Sequence, residues 1–165
     1  MDPEPLVPAP ITENAIEFRD ALPEEGGALL GLDLGTKTIG IALCDPEWRF
    51  ATAGKTLPRT KFTADKGAIA ALVTARSVKG IVIGLPLNMD GSSGPRAQAS
   101  RAFAKNLAVL GLPILLWDER WSTAAAEREM IAQDFSRAKR AERIDSHAAA
   151  VILQGAIDRL AGGIF

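Results

Sequence analysis

Cysteine and histidine are almost missing from this chain of 165 residues, which has one of each. Cys44 alone cannot form an intramolecular disulfide, and no Cys/His cluster stands at zinc-ligand spacing, so neither kind of staple is expected. No run of about 18 apolar residues offers a membrane-spanning helix. The N-terminus, MDPEPLVPAP, has acids where a secretory leader needs bases. Repeats and internal linkers are lacking as well. The expectation is a soluble protein of the reducing cytoplasm with no membrane partner. What the chain does have is ordinary globular composition, 47% hydrophobic and 24% charged, which excludes collagen-like, coiled-coil and wholly disordered classes. At this length roughly two thirds of the surface is buried on folding, enough for one core without cross-links.

Net charge is small, -1, but unevenly placed. Residues 1–27 carry seven acids (Asp2, Glu4, Glu13, Glu17, Asp20, Glu24, Glu25) and one base, Arg19, whereas residues 28–165 carry 13 acids and 18 bases. The first segment is proline-rich with one short helical stretch around Ile16 to Leu22, and is expected to be a mobile acidic arm. Residues 28–165 are expected to form the folded domain. Its basic surplus suits a polyanion, because neutralising phosphates releases counterions. Ordinary soluble surfaces carry similar surpluses, so charge alone does not decide.

From Ala28 the pattern becomes periodic. ALLGLDL (28–34) is apolar, TIGIALCD (38–45) alternates after a tight GTK turn, and residues 50–57 read as a weaker third strand, which predicts an antiparallel meander. Thr63 to Ser77 predicts a helix with Ile69, Leu72 and Val73 on one face. GIVIGL (80–85) then predicts a fully buried strand, parallel to its neighbour because a helical crossover precedes it. After the loop PLNMDGSSG, Pro95 suits the first turn of a helix reaching Leu110, Pro113 to Trp117 predicts a fifth strand, and Ser122 or Thr123 would cap a following helix. SRAKRAER (136–143) breaks the apolar pattern. Ile144 to Leu160 predicts the last helix, with Ala148, Ala149, Ile152 and Ala156 in register. This order resembles the ribonuclease H-like fold, an α/β class with a five-stranded mixed sheet of order 3-2-1-4-5 flanked by helices.

Asp33 interrupts an otherwise apolar strand, and a lone buried carboxylate is costly without a partner or a metal. Its alternative is to accept hydrogen bonds from the adjacent GTK turn. Asp118 and Glu119 stand where the fifth strand ends, on the same sheet edge as Asp33, two strand spacings or about 10 Å away. Alternation puts these two acids on opposite faces, and Glu119 has the longer reach. Their alternative is a solvated strand end paired with Arg120. Asp145, at the expected start of the last helix, would serve as a helix-terminal acid or as a third member of the acidic group. Three such carboxylates repel by about a few kcal/mol per pair at an effective dielectric near 20. A divalent cation cancels that repulsion. Hard oxygen donors select Mg2+ or Mn2+, and two such ions activate water and stabilise the leaving oxygen of a phosphodiester. The metal ligands predicted are Asp33, Glu119 and Asp145, with Asp118 a further catalytic candidate.

His147 stands about 200° round the helix from Asp145 and is not expected to share the metal. Trp48, Trp117 and Trp121 would stack bases or pack in the core, and packing is the expectation for Trp117. Arg137, Lys139, Arg140 and Arg143 form the densest basic cluster. With Lys37, Arg96 and Arg101 they make up the predicted nucleic-acid contacts, their alternative being solvated surface.

Four blocks, GLDLGTKTIGIAL (31–43), VIGLPLNMDGSSGPRA (82–97), LLWDERWST (115–123) and RIDSHAAAVILQ (143–154), resemble the signatures of the YqgF/RuvX family. The resemblance covers residues 28 to 160 in order. It implies a ribonuclease H-like nuclease that matures the 5′ end of pre-16S ribosomal RNA, with ribosomal precursor particles as partners and a monomeric or homodimeric state. An older role for the family is Holliday-junction resolution, with structured DNA as substrate. The resemblance carries functional roles to Asp33, to Asp118 and Glu119, and to Asp145. Related junction resolvases place a glutamate where strand four here ends in Leu85 and Pro86, so the second ligand must come from strand five. Two further classes remain: an ATP-binding domain of actin-like type, for which the chain is too short, and a non-catalytic nucleic-acid module, against which the occupied acidic positions argue.

Overall fold

The computed structural model describes residues 9–121 and 137–162, with side chains described to residue 120 and again from 146. Along the chain these residues form β1 (Ile11–Thr12), α1 (Ala15–Ala21), β2 (Leu29–Leu34), β3 (Thr38–Cys44), β4 (Ala51–Ala53) and β5 (Leu57–Pro58). Then come α2 (Phe62–Arg76), β6 (Gly80–Leu85), α3 (Pro95–Leu107), β7 (Ile114–Asp118) and α4 (Arg137–Ala161), with short 3-10 turns at Ala108–Leu110 and Glu119–Trp121.

One sheet runs in the order β1-β7-β6-β2-β3-β4, with β5 beside β3. Strand β2 is parallel to β6, β6 to β7 and β7 to β1, whereas β3 is antiparallel to β2, β4 and β5. The expected order of five strands is therefore present, from β4 through β3, β2 and β6 to β7. Residues 50–57, read as one strand, are two short pieces instead. Around Gly54 the chain leaves the ladder, so β4 pairs with the end of β3 and β5 with its beginning.

Alternation divides the core. Leu30, Leu32, Ile81, Ile83, Ile114 and Leu116 face Ile69 of α2 and Phe103, Ala104 and Leu107 of α3. On the other side Leu29, Val82, Leu115 and Trp117 meet Ala148, Ala149, Ile152, Leu153 and Ala156 of α4. Helix α4 packs close because β2 offers Gly31, where a Cβ would stand 2.8 Å from Leu153 Cβ and 3.2 Å from the Ala149 carbonyl. Trp117 is core, as expected, and Trp48 joins the rim of the same cluster with its indole N–H donating to the Gly27 carbonyl at 2.8 Å.

Two expectations need correction. The segment read as a mobile arm is built into the fold from residue 9 onward. Ile11–Thr12 extends the sheet beyond β7, and Asn14 Oδ1 caps α1 by accepting from the N–H groups of Ile16 and Glu17 at 2.9 and 3.1 Å. Phe18 of α1 is fully buried with Leu22 against the α4 side of the core. Proline and acid content had masked a capped amphipathic turn. The last helix also begins at Arg137 rather than Ile144. SRAKRAER lacks apolar periodicity, yet it is rich in strong helix formers. Any helix following Ser122 or Thr123 falls outside the described residues. Among the described residues no helix is long and apolar enough to cross a membrane.

Candidate active site

Sheet parity assigns Asp33 to the α4 face, with Leu29 and Gly31, and buries it to 2% exposure. In the parallel pairing of β2 with β6, Leu32 lies opposite Ile83, and one further step brings Asp33 alongside Gly84. On the other side of β6, Gly84 pairs with Trp117. Glu119 follows Trp117 by two residues, shares its face, and is 7% exposed. Its Cγ and Cδ lie 3.4 and 3.3 Å from the point where a Cβ on residue 84 would stand, and Ile152 Cδ1 lies 2.6 Å from it. The Glu119 side chain thus bends back from the end of β7 across the bare backbone of β6, toward Asp33. A glycine at 84 is what leaves it room. Sequence reading passed over Gly84, although a glycine inside a buried strand signals a close approach.

Asp118 sits on the opposite face, in the α3 half of the core. It is 5% exposed and gripped by Arg120, whose Nη2 donates to Oδ2 at 2.7 Å, Nε to both oxygens at 3.1 Å, and backbone N–H to Oδ1 at 2.9 Å. Burial pushes the carboxyl pKa up, but these bonds and the guanidinium charge outweigh it and hold the group below its ordinary value. The same contacts raise the pKa of Arg120. Arg120 Nη1 also donates to the Met89 carbonyl at 3.2 Å, tying the loop after β6 to the turn that carries Glu119. Asp118 therefore does not join Asp33 and Glu119. Its place beside Arg120 is that of a residue positioning the turn.

The N-terminal half of α4 lies at the same edge. Ala149 and Leu153 cover Gly31, and Ser146 hydrogen-bonds Thr56 just before β5, whose Leu57 pairs with Ile39. Further along, Gln154 Oε1 accepts from Ala51 N–H at 2.8 Å. Helix α4 therefore starts near the carboxyl end of β2 and runs back along it. Asp145, next to Ser146, is in the third turn of α4 and not at the helix start, which removes the capping role considered for it. Its side chain lies outside the described residues, as do those of Arg137, Lys139, Arg140, Arg143 and Trp121. The four basic residues occupy the first two turns of α4 rather than a loop. His147 is exposed. Among the described residues no group of three or more His, Cys, Asp or Glu is placed to hold a metal ion.

The remaining basic candidates divide. Lys37 is exposed on the turn after β2, where the Gly35 N–H donates to the Thr38 carbonyl at 2.9 Å. Arg96, in the first turn of α3, donates to the Leu34 carbonyl at 3.3 Å. Arg101 is turned toward the N-terminal segment, pairing with Glu13 at 3.1 Å and donating to Ser93 Oγ at 3.2 Å.

The model of the RuvX family, described as Holliday junction resolvase, matches residues 27–159. A protein of Novosphingobium aromaticivorans named "Putative pre-16S rRNA nuclease" is 75% identical over 155 residues, covering 94% of this chain and 99% of that protein. One of the same name from Sphingopyxis alaskensis is 67% identical over 150 residues, covering 91% and 98%. The first alignment is longer than residues 27–165, so it extends into the N-terminal segment. Among solved structures, T. thermophilus RuvC in complex with a Holliday junction substrate superposes with a TM-score of 0.51 at 11% identity, covering 82% of this chain and 96% of that one. This likeness shows the shared fold.

Proposed function

The chain belongs to the RuvX family, and from that premise we propose that the Asp33 and Glu119 edge is the catalytic centre of a metal-dependent nuclease that matures the 5′ end of pre-16S ribosomal RNA. The observation that carries this reading is the convergence on one face of two buried carboxylates, one from β2 and one from the turn after β7, across a glycine that clears the way. Buried carboxylates brought together in this manner repel one another, and a cation placed between them offsets that repulsion. Their hard oxygen donors suit Mg2+ or Mn2+, with Asp33, Glu119 and Asp145 as the holding residues. When bound, such ions supply Lewis-acid activation of the attacking water and charge stabilisation at the leaving oxygen. The chain's own contribution is to hold the carboxylates, through the packing of α4 and the Arg120 fork, and to bind the backbone through Lys37 and the basic turns of α4. The work is placed in the cytoplasm, on precursor ribosomal RNA or its particles, by a monomer or homodimer.

Junction cleavage is the second reading, favoured by the description of the family model. Strand β6 ends at Leu85, followed by Pro86, and gives no acid to the site, which ranks junction cleavage below RNA processing. Purified protein with Mg2+ or Mn2+ is to be assayed on a pre-16S RNA fragment and on a four-way DNA junction, beside Asp33→Asn. Metal-dependent RNA cleavage lost in the variant is expected. Symmetrical nicking of the junction without action on RNA would reverse the ranking. Binding of RNA without cleavage of either would point to the non-catalytic module.

A further inference from the structure

We propose that the hollow beyond the carboxyl end of β2, on the face away from α4, is a phosphate subsite that seats the sugar-phosphate backbone of a nucleic-acid substrate beside the scissile position. The inference rests on the nuclease reading and extends it to a second binding point. Gly35, Thr36, Arg59, Pro95, Arg96 and Ser100 line an open hollow of about 170 Å³ there, room for a tetrahedral phosphate group. Two guanidinium groups and no carboxylate stand in that lining.

Both arginines are held in place from behind. Arg59 Nη1 donates to the Gly35 carbonyl at 2.7 Å, and its guanidinium carbon lies 5.8 Å from the centre of the Phe103 ring. Arg96 Nη2 donates to the Leu34 carbonyl at 3.3 Å. Each guanidinium has five N–H groups, so donors remain for an anion after these contacts. Held by both contacts, Arg59 loses little side-chain freedom on binding. The first turn of α3 adds to the field: Gly94 at the N-cap has no side chain to cap the amides, and the turn contains no acid. The lining includes Leu34, the residue after Asp33, on the opposite face of β2, so a nucleic-acid strand crossing this edge would set one phosphate at the carboxylates and another here.

The test uses Asp33→Asn to hold RNA uncleaved, alone and combined with Arg96→Gln, Arg59→Lys or both. Binding of a single-stranded RNA oligonucleotide is measured from low to high salt, and folding is checked by thermal melting. Arg96→Gln changes an exposed residue and serves as the variant least able to disturb the fold. The double change is expected to weaken binding about tenfold and to lower the salt slope by about 0.7 for one lost phosphate contact. Arg59→Lys should lose part of the affinity despite keeping its charge, since the planar fork is gone. Unchanged affinity and slope in folded variants would overturn the subsite while leaving the nuclease reading intact. If the parent protein binds no RNA, the nuclease reading fails. Inorganic phosphate titrated against the arginine Nε–H resonances then decides the pocket: saturable shifts at Arg59 and Arg96 sustain a phosphate site, and their absence removes it.

Discussion

Gly84 makes the sharpest test of the site, because replacing it perturbs two neighbours that can be told apart. In Gly84→Ala the new Cβ meets Ile152 Cδ1 at 2.6 Å and the Glu119 carboxyl carbon at 3.3 Å. The first contact must relax by more than half an ångström, through a flexible side-chain tip in a packed core, which costs about 1–3 kcal/mol. At this chain length 1 kcal/mol lowers Tm by about 2–4 °C, so a fall of about 2–12 °C is expected. The second contact moves Glu119 by only a few tenths of an ångström and has little weight in stability. Its weight is in activity, since a misplacement of about 1 Å at a reacting centre costs about a hundredfold. A drop of about tenfold in cleavage rate at saturating RNA is therefore expected. Adding Ile152→Val removes Cδ1 and with it the larger clash. The double variant should recover stability, minus the roughly 0.5–1.5 kcal/mol that Ile→Val costs in itself, while the cleavage rate stays low. Melting curves and single-turnover cleavage on the same preparations separate the two effects. Recovery of stability and rate together would refute the placement of Glu119 over Gly84 as the reason for the glycine.

The other expectations concern the remaining acids and bases. Glu119→Gln should keep near-normal RNA affinity and lose cleavage about a hundredfold or more at any RNA concentration, whereas Asp118→Asn, still able to accept from Arg120, should lose less than about tenfold. Equal losses would return Asp118 to the catalytic group. Because Arg120 holds the Asp118 pKa below its ordinary value, the pair stabilises the fold fully above the unfolded value near pH 4, and that contribution is lost as pH falls through the lower folded value. Asp118→Asn should accordingly flatten the acid limb of a Tm-against-pH curve below about pH 4, and an unchanged limb would contradict the pairing. Replacing Arg137, Lys139 and Arg140 by alanine should weaken RNA binding and lower its salt slope by about two units, with cleavage restored at saturating RNA. An unaltered slope would make these turns of α4 solvated surface.

Most of the sheet was legible because apolar runs and strict alternation are local signals. Asp33 could be singled out as the one acid in an apolar strand, and parity puts Asp118 and Glu119 on opposite faces while leaving open which of them stands on the face of Asp33. Two segments were misread for different reasons. In the N-terminal segment proline and acid content outweighed a real signal, Asn14 three residues before Glu17 with Ala15, Phe18 and Leu22 at helical spacing. That pattern is a side-chain N-cap next to a buried stripe. At residues 136–143 no apolar stripe exists to be read. The first turns of α4 are polar, and their helical state rests on propensity and on continuity with the packed half of the helix.

Gly84 and Arg59 were hidden for a third reason, which is that their partners are distant in sequence. A glycine in GIVIGL reads as a weak point in a strand until β7 is laid beside it and Glu119 is seen to need the space. In the same way Arg59 reads as one more surface base until the turn after β2 and the face of Phe103 fix its guanidinium at the rim of a hollow. The absence of an acid at the end of β6 belongs to the same logic. With Leu85 and Pro86 there, a carboxylate meant to stand beside Asp33 must cross a strand, and it can do so only over a residue without a side chain. The acid just after β7, Glu119, and the glycine on β6 are then one device. An acid in place of Leu85 would not do the same work, because Leu85 packs on the α3 face, opposite the one on which Glu119 lies over Gly84.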